Sequence, residues 1–298
     1  MNSNAPRLSI GLPVYNGERH LRMALESILA QTFTDFEVII SDNASTDSTQ
    51  KICQEFSRID PRIRYHRQNQ NSGAARNFNR VFELSRGEYF KWIGFDDWLH
   101  PEFLERCVKE LDKDSSLVLC YCHEKYYTTD TEFVCSLDDS HNVVSDKAYK
   151  RFRQIIWCRS LIDPTYAVIR RSALEKTGLI STLLKADDIL AAELSLLGRF
   201  GHIPEHLSFR RAQPKTAEER MSRIEPQPKR IRLQFSRSCL EYSRIIRSAK
   251  LNAIEKTLLL MDLINFFVCC QIRRRFLRTG ASRVCPKPLL SYLQKAIG

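Results

Sequence analysis

The sequence predicts an α/β fold built on a mostly parallel, doubly wound sheet. Three observations predict it. Four apolar, strand-like runs between residues 7 and 97 alternate with helical periods. Carboxylate and amide residues stand just past the end of each run. The 298 residues, 43% hydrophobic and 27% charged, have globular composition and enough length for one large domain with an appended tail.

The elements follow in order. "RLSIGLPVY", from Arg7 to Tyr15, is a buried strand broken by Pro13, and Leu21, Leu25, Ile28 and Leu29 then mark the apolar side of a helix. "FEVIIS" is the second strand; the turn "DNASTDS" leads into a helix for which Ser45 or Asp47 is the expected N-cap. "IRYHRQ" is a short third strand, followed by a turn at Gly73 and a helix from Ala74 to about Ser85. "YFKWIG" is the fourth strand, and it runs into Asp96 and Asp97. From Leu117 the pattern loosens into strand-like "LVLCYC" and a polar stretch from Thr128 to Asp146. One more clear helix is "DDILAAELSLLGRFG", with Leu190, Leu194 and Leu197 on one face and Gly198 or Gly201 closing it.

In a parallel sheet, ligands bind outside the carboxyl ends of the strands. The residues at those ends are Tyr15, Asn16 and Glu18, then Asp42 and Asn43, then Asn71 to Asn77, then Asp96 and Asp97. A lone aspartate in a turn is normally a cap. Adjacent carboxylates at the edge of a core are different, because each raises the proton affinity of the other unless a cation or donors offset the repulsion.

The ten cysteines are scattered, none in C-x-x-C spacing, and read as reduced and mostly buried thiols. The first twenty residues lack the apolar core of a signal peptide, so the catalytic part is expected to face the cytoplasm. Charge is uneven. Residues 209–298 hold 20 Lys and Arg against 6 Asp and Glu, which leaves residues 1–208 slightly acidic although the whole chain is at +11. That asymmetry implies an anionic partner.

"LSIGLPVYNGERHLRMALESILAQTFTDFEVIISDNASTDST" and "NSGAARNFNRVFELSRGEYFKWIGFDD" resemble two blocks of the family 2 glycosyltransferases, inverting enzymes of the GT-A fold, and "KADDILAAELSLLGRFGHIPEHLSFRR" resembles a third. The resemblance implies a GT-A domain over residues 1–213, with a nucleotide-binding half at about 7–110 and an acceptor half at 111–213, and leaves 214–298 as a basic, mainly helical extension. It also implies roles. Pro13, Tyr15 and Glu18 match the turn framing the nucleotide pocket, Asp42 the aspartate that accepts from the base, usually uracil, and Arg76 an arginine near the nucleotide. Asp96 and Asp97 stand at the family's D-x-D element, Asp97 as ligand of Mn2+ or Mg2+ and Asp96 as ribose contact or further ligand. Counting back from Gly198, Asp187 falls at the general base that takes the acceptor hydroxyl's proton, with Asp188 the alternative.

Two positions depart from the family. Gly94 stands where a first carboxylate is common, and Gln213 stands near a position often held by His, leaving Arg210 or Arg211 either to neutralise a diphosphate or to stand as an ordinary surface arginine pair. The reading is an inverting transferase that takes a uridine diphosphate sugar to a glycan or lipid-linked acceptor in polysaccharide or glycolipid synthesis. The alternative is a nonenzymatic nucleotide-sugar-binding or membrane-scaffolding protein that keeps the fold. A sugar nucleotidyltransferase would need a glycine-rich phosphate loop after the first strand, and "LPVYNGERH" is not one.

In the tail, "QPKRIRLQFSRSCLEYSRIIRSAK" reads as a basic helix. Leu258 to Ile272 is an apolar run containing Asp262 and Asn265, directly before Arg273, Arg274, Arg275 and Arg278. The run is shorter than the roughly 20 apolar residues of a membrane span. It suits a helix at an anionic membrane surface, at the inner face, or a helix packed on the domain. No zinc-finger, RNP or helix-turn-helix pattern is present, so no nucleic-acid partner is expected.

Overall fold

A computed structural model of the chain describes residues 5–128, 132–137, 143–158, 163–183, 185–211 and 234–278. The first half alternates as expected: β1 (Leu8–Val14), α1 (Leu21–Leu29), β2 (Phe36–Asp42), α2 (Thr49–Ile59), β3 (Ile63–Arg67), α3 (Ala74–Glu83) and β4 (Tyr89–Trp92). Then come β5 (Trp98–Leu99), α4 (Phe103–Lys113), β6 (Leu117–Tyr127), β7 (Phe133–Leu137) and α5 (Ala148–Cys158). A 3-10 turn at Pro164–Tyr166 precedes β8 (Val168–Arg170), α6 (Arg171–Leu174), α7 (Ala186–Leu197), β9 (Arg199–Arg211), α8 (Gln234–Ser248) and α9 (Ala253–Arg278).

These strands form one mixed sheet in the order β3-β2-β1-β4-β8-β6-β9-β5, with β7 paired to β6. β3, β2, β1 and β4 are mutually parallel, as is β6 with β9, while β5, β7 and β8 run against their neighbours. Every residue of β1 and β2 is buried, the pattern of a parallel sheet covered on both faces. Alternation along the strands splits the core in two. Leu8, Ile10 and Leu12 of β1 meet α1, α2 and α4, while Ile39, Phe90 and Trp92 meet Val81 and Phe82 of α3 and Leu190 and Leu194 of α7. β1 carries Gly11 on the second face because a Cβ there would lie 2.6 Å from Val81 Cγ2.

A third apolar cluster joins the tail to the domain. Tyr242, Ile245 and Ile246 of α8 and Leu259, Leu263 and Phe266 of α9 pack on Phe152 and Ile156 of α5 and Ile189 and Ala192 of α7. α7 therefore serves two cores, with Leu190 and Leu194 toward the sheet and Ile189 and Ala192 toward the tail. The packed-helix reading of the apolar run holds for that side of α9. Cys53, Cys107, Cys120 and Cys122 are buried free thiols.

Several local expectations are corrected. α2 begins after Ser48, which makes no side-chain bond; Asp47 Oδ1 accepts from Thr49 N (3.0 Å) in the first turn, as a cap does, while its Oδ2 and the Ser45 hydroxyl turn to the loop after β1. α3 stops at Glu83, and part of the polar stretch forms β7. Leu197 is 40% exposed, because the two-sided packing of α7 replaces the single leucine face. Gly198 ends α7 for a steric reason. Its φ of −174° is open to any residue, but a Cβ there would lie 2.3 Å from Val118 Cγ1 and 2.7 Å from the Ser116 carbonyl oxygen. Gly201 lies within β9. Gly198→Ala should therefore destabilise the fold by about 1–3 kcal/mol through overpacking against β6, read as a lowered thermal midpoint. A wild-type midpoint in that variant would refute the contact.

Candidate functional site

The site begins where β1, β2 and β3 end together. Register sets Val14 beside Asp42 and Asp42 beside Arg67, so the loops after β1 and β2 leave the sheet side by side. They are laced by reciprocal bonds. Asn16 N donates to Ser45 Oγ (2.9 Å) and Thr46 N to Asn16 Oδ1 (2.9 Å). Glu18 N donates to Asp47 Oδ2 (3.1 Å) and Ser48 N to Glu18 Oε2 (2.9 Å). Glu18 thus shapes the loop with its carboxylate, Pro13 is buried in β1, and Tyr15 is exposed beside them. Asn16 and Ala44 hold positive φ (50° and 62°); for Ala44 this costs on the order of 1–2 kcal/mol, which the lacing must offset.

Asp42 is fully buried at the base of this edge. Its Oδ1 accepts from Ser45 N (2.8 Å), and its Oδ2 accepts from the Tyr65 hydroxyl (2.8 Å) and Arg67 Nη1 (3.1 Å). A carboxylate offers about four acceptor positions, so three donors leave room for one more. Asn43 and Asn77 knit the next loop. Asn43 Nδ2 donates to Asn71 Oδ1 (2.8 Å), and Asn77 Nδ2 donates to the carbonyls of Ser41 (2.9 Å) and Val14 (3.3 Å). Arg76 is exposed in the first turn of α3, just after Gly73, whose φ of 87° suits glycine.

Past β4 the two carboxylates converge on Gly94. A Cβ on Gly94 would lie 2.4 Å from Asp97 Oδ2 and 3.1 Å from Asp96 Oδ1, so the missing side chain leaves a cradle that both oxygens line. The expected first carboxylate has no room here. Asp97 is buried; Oδ2 accepts from the Tyr166 hydroxyl (2.9 Å) and Oδ1 from Arg211 N (3.1 Å). Burial first, and the charge of Asp96 second, raise its carboxyl to about 6 against the opposing pull of Arg210 and these two donors. Among the described residues no group of three or more His, Cys, Asp and Glu could hold a metal. The donor set here is two hard carboxylate oxygens converging beside the bare Cα of Gly94, which fits a divalent ion that takes its remaining ligands from phosphate and water.

The predicted base lies across the 3-10 turn from Asp97. Asp187 and Asp188 occupy the first turn of α7, after Lys185 at a φ of 68°. Lys185 Nζ pairs with Asp188 at 2.6 Å, whereas no ion pair engages Asp187 among the described residues. Burial, then the charges of Asp163 and Asp188, push the Asp187 carboxyl up to about 7. That environment separates the two candidates: Asp188 is paired with a cation, while Asp187 is buried beside two like charges.

Residues outside the sequence reading connect these groups. Tyr166 bonds Asp97, and the Arg210 guanidinium carbon lies 3.5 Å from the Tyr166 ring centroid. Arg210 pairs with Glu124 (3.0 Å) and Asp163 (3.7 Å) and donates to the Tyr126 hydroxyl (2.8 Å). With those partners its charge is engaged within the protein, so Arg210 is not one of an ordinary surface arginine pair. Lys91, fully buried, donates to the Tyr166 carbonyl (2.9 Å), and its burial lowers it to about 8. Asp163, Tyr166, Glu124 and Lys91 carried no spacing signal, though "DPTY" is a capped turn in which Asp163 accepts from Thr165 N (3.0 Å). Gln213 lies outside the described residues.

Residues 9–178 match the family model for glycosyl transferase family 2. A chondroitin synthase of Escherichia coli is 40% identical over 116 residues, 39% of this chain and 17% of the synthase. Glycosyltransferase GlyA of Streptococcus pneumoniae serotype 4 is 34% identical over 105 residues, 35% of this chain and 15% of GlyA. The chain thus covers a minor part of the length of these relatives. S. aureus TarS 1-349 in complex with UDP-GlcNAc superposes with a TM-score of 0.67 at 16% identity, covering 87% of this chain and 72% of that one. Mannosyltransferase PcManGT from Pyrobaculum calidifontis, in complex with GDP-Man and Mn2+, superposes with a TM-score of 0.57 at 18% identity, covering 97% and 84%. At such identities the likeness is one of fold, the GT-A arrangement expected from the sequence.

A carboxyl raised from its ordinary 3.8 to about 7 binds more protons in the folded than in the unfolded state. The resulting penalty is absent below its unfolded value, grows between the two values, and is complete above the folded one. Asp187→Asn should therefore raise the thermal midpoint at pH 8 by about 2–4 °C, on the order of 1 kcal/mol, with the gain vanishing near pH 4. A pH-independent difference would show that Asp187 is not the buried charge described.

Proposed function

The chain belongs to glycosyl transferase family 2, and on that premise we propose that it moves a sugar from a nucleotide-sugar donor, a uridine diphosphate sugar, to an acceptor hydroxyl with inversion. One observation carries this reading. A single 3-10 turn, Pro164–Tyr166, stands between a carboxylate pair suited to a divalent ion that would bind a donor's diphosphate and a carboxylate raised into the range of a general base. The UDP-GlcNAc complex of TarS supports the choice of donor class.

The donor lies along the ends of β1, β2 and β4. Asp42 has one acceptor position left for the base N–H, Pro13, Tyr15 and Glu18 frame the nucleoside, Arg76 approaches the phosphates, and Asp96 approaches the ribose. Asp97, with Asp96, would hold Mn2+ or Mg2+, whose positive charge stabilises the departing nucleoside diphosphate. Tyr166 and Arg211 N fix the Asp97 carboxylate in place. Asp187 takes the proton of the acceptor hydroxyl while that oxygen bonds the anomeric carbon. The bond from that carbon to phosphate breaks on the opposite side, its electron pair leaving with the diphosphate. One displacement inverts the centre. The acceptor is a glycan or lipid-linked sugar in polysaccharide or glycolipid synthesis, and the basic tail places the reaction at an anionic membrane surface.

Purified protein incubated with UDP-sugars and Mn2+ or Mg2+ should release nucleoside diphosphate. Asp97→Ala should raise the donor KM about tenfold or more, whereas Asp187→Ala should lower kcat by about 10²–10⁴ with KM little changed. The kcat profile should rise through about pH 7 as Asp187 loses its proton. Turnover unaltered in both variants overturns the assignment. Donor binding by calorimetry without turnover toward any acceptor supports the scaffold alternative instead.

A further inference from the structure

Helix α9 has two apolar faces, and the domain uses one. Leu259, Leu263 and Phe266 are buried in the third cluster. On the far side Ile254, Leu258, Met261, Ile264 and Val268 recur at helical spacing and are exposed, Met261 at 58% and Ile264 at 63%. The surface continues through Ile264, Leu260 and Phe267 into a groove against α8, lined there by Cys239, Leu240 and Arg247. Isolated exposed apolar residues are ordinary, but five on one side along about four turns, with exposed Asn265 among them, mark an interaction site.

Charge selects the occupant. Asp262, the last acidic residue in the sequence, turns to Arg153 (3.0 Å) on the domain side. Glu255 is tied to Asn252 at the start of α9, accepting from Asn252 N (3.2 Å) and donating its own N–H to Asn252 Oδ1 (2.8 Å). The face therefore carries no acidic group directed outward. Arg237 and Arg247 are exposed on α8, and the end of α9 brings Arg273, Arg274, Arg275 and Arg278 in sequence. A second copy on this face would bring two strongly basic segments together. No helix of the described residues is long and apolar enough to cross a membrane.

We propose that the face Ile254–Leu258–Met261–Ile264–Val268 lies in the interface of an anionic bilayer, its side chains among the acyl chains and the flanking arginines at the phosphate headgroups. Apolar burial and attraction to anionic lipid act together in such a helix. α7 packs on the same cluster as α9 through Ile189 and Ala192 and carries Asp187 in its first turn, so the docked helix also sets where the base meets a lipid-linked acceptor. That last clause rests on the transfer reaction proposed above; the docking does not.

The full chain should cosediment with vesicles of phosphatidylcholine and phosphatidylglycerol, but weakly with phosphatidylcholine alone, and added salt should weaken the binding. Met261→Glu with Ile264→Glu, both exposed and outside the core, should reduce binding about tenfold or more. The same variant should keep wild-type nucleoside diphosphate release without vesicles, so that folding and transfer are read separately. Undiminished vesicle binding by the variant overturns the proposal, as does absence of binding by a wild-type chain that still releases nucleoside diphosphate. A wild-type dimer in solution that the same substitutions split, with no vesicle binding, assigns the face to a second copy and likewise overturns it.

Discussion

The site depends on negative charge held out of water before its partner arrives. Asp97 is enclosed by the sheet edge, and Asp96 directs an oxygen into the same cradle. Two donors on Asp97 cannot cancel two charges, and its carboxyl remains raised. The fold contains this repulsion with neighbours that are themselves pinned. Tyr166 is capped by Arg210, Arg210 by Glu124 and Asp163, and Lys91 supports the turn from below. Such a network holds an electrostatic cost that a bound cation would relieve, a reason for carboxylates to persist where apolar residues would be more stable.

Asp187 and Asp188 are set apart by a related device. Asp188, its neighbour, is neutralised by Lys185, while Asp187 faces the charge of Asp163 across the turn. Adjacent residues of one type thus receive different chemistry from one cation and one anion. The same Asp163 bonds Thr165 and pairs with Arg210, which in turn lies against the tyrosine that holds Asp97. The donor end and the acceptor end therefore share a short chain of contacts.

The donor half was legible because its signals are local. Apolar runs, polar ends and a strand-helix period place Asp42 and Asp97 at one edge without knowledge of distant pairing. The acceptor half was not, for its geometry arises from long-range antiparallel contacts: β8 slips between β4 and β6, and the turn before it brings Asp163 and Tyr166 to the site. Helical spacing alone mistook Leu197 for core, since two surfaces rather than one claim α7. Gly94 read as a lost ligand, and the backbone shows it instead as the space the remaining carboxylates require. Gly198 read as a cap, while β6 at its back explains it.

The laced turns after β1 and β2 carry a consequence for speed of recognition. Asn16 and Glu18 exchange bonds with Ser45, Thr46, Asp47 and Ser48 within the chain itself, so the wall at the ends of β1 and β2 is set in advance. A visitor entering that end surrenders its own freedom but need not order the wall as well. Under the transfer proposed above, the opposite, tail-braced end can then vary without remaking that wall.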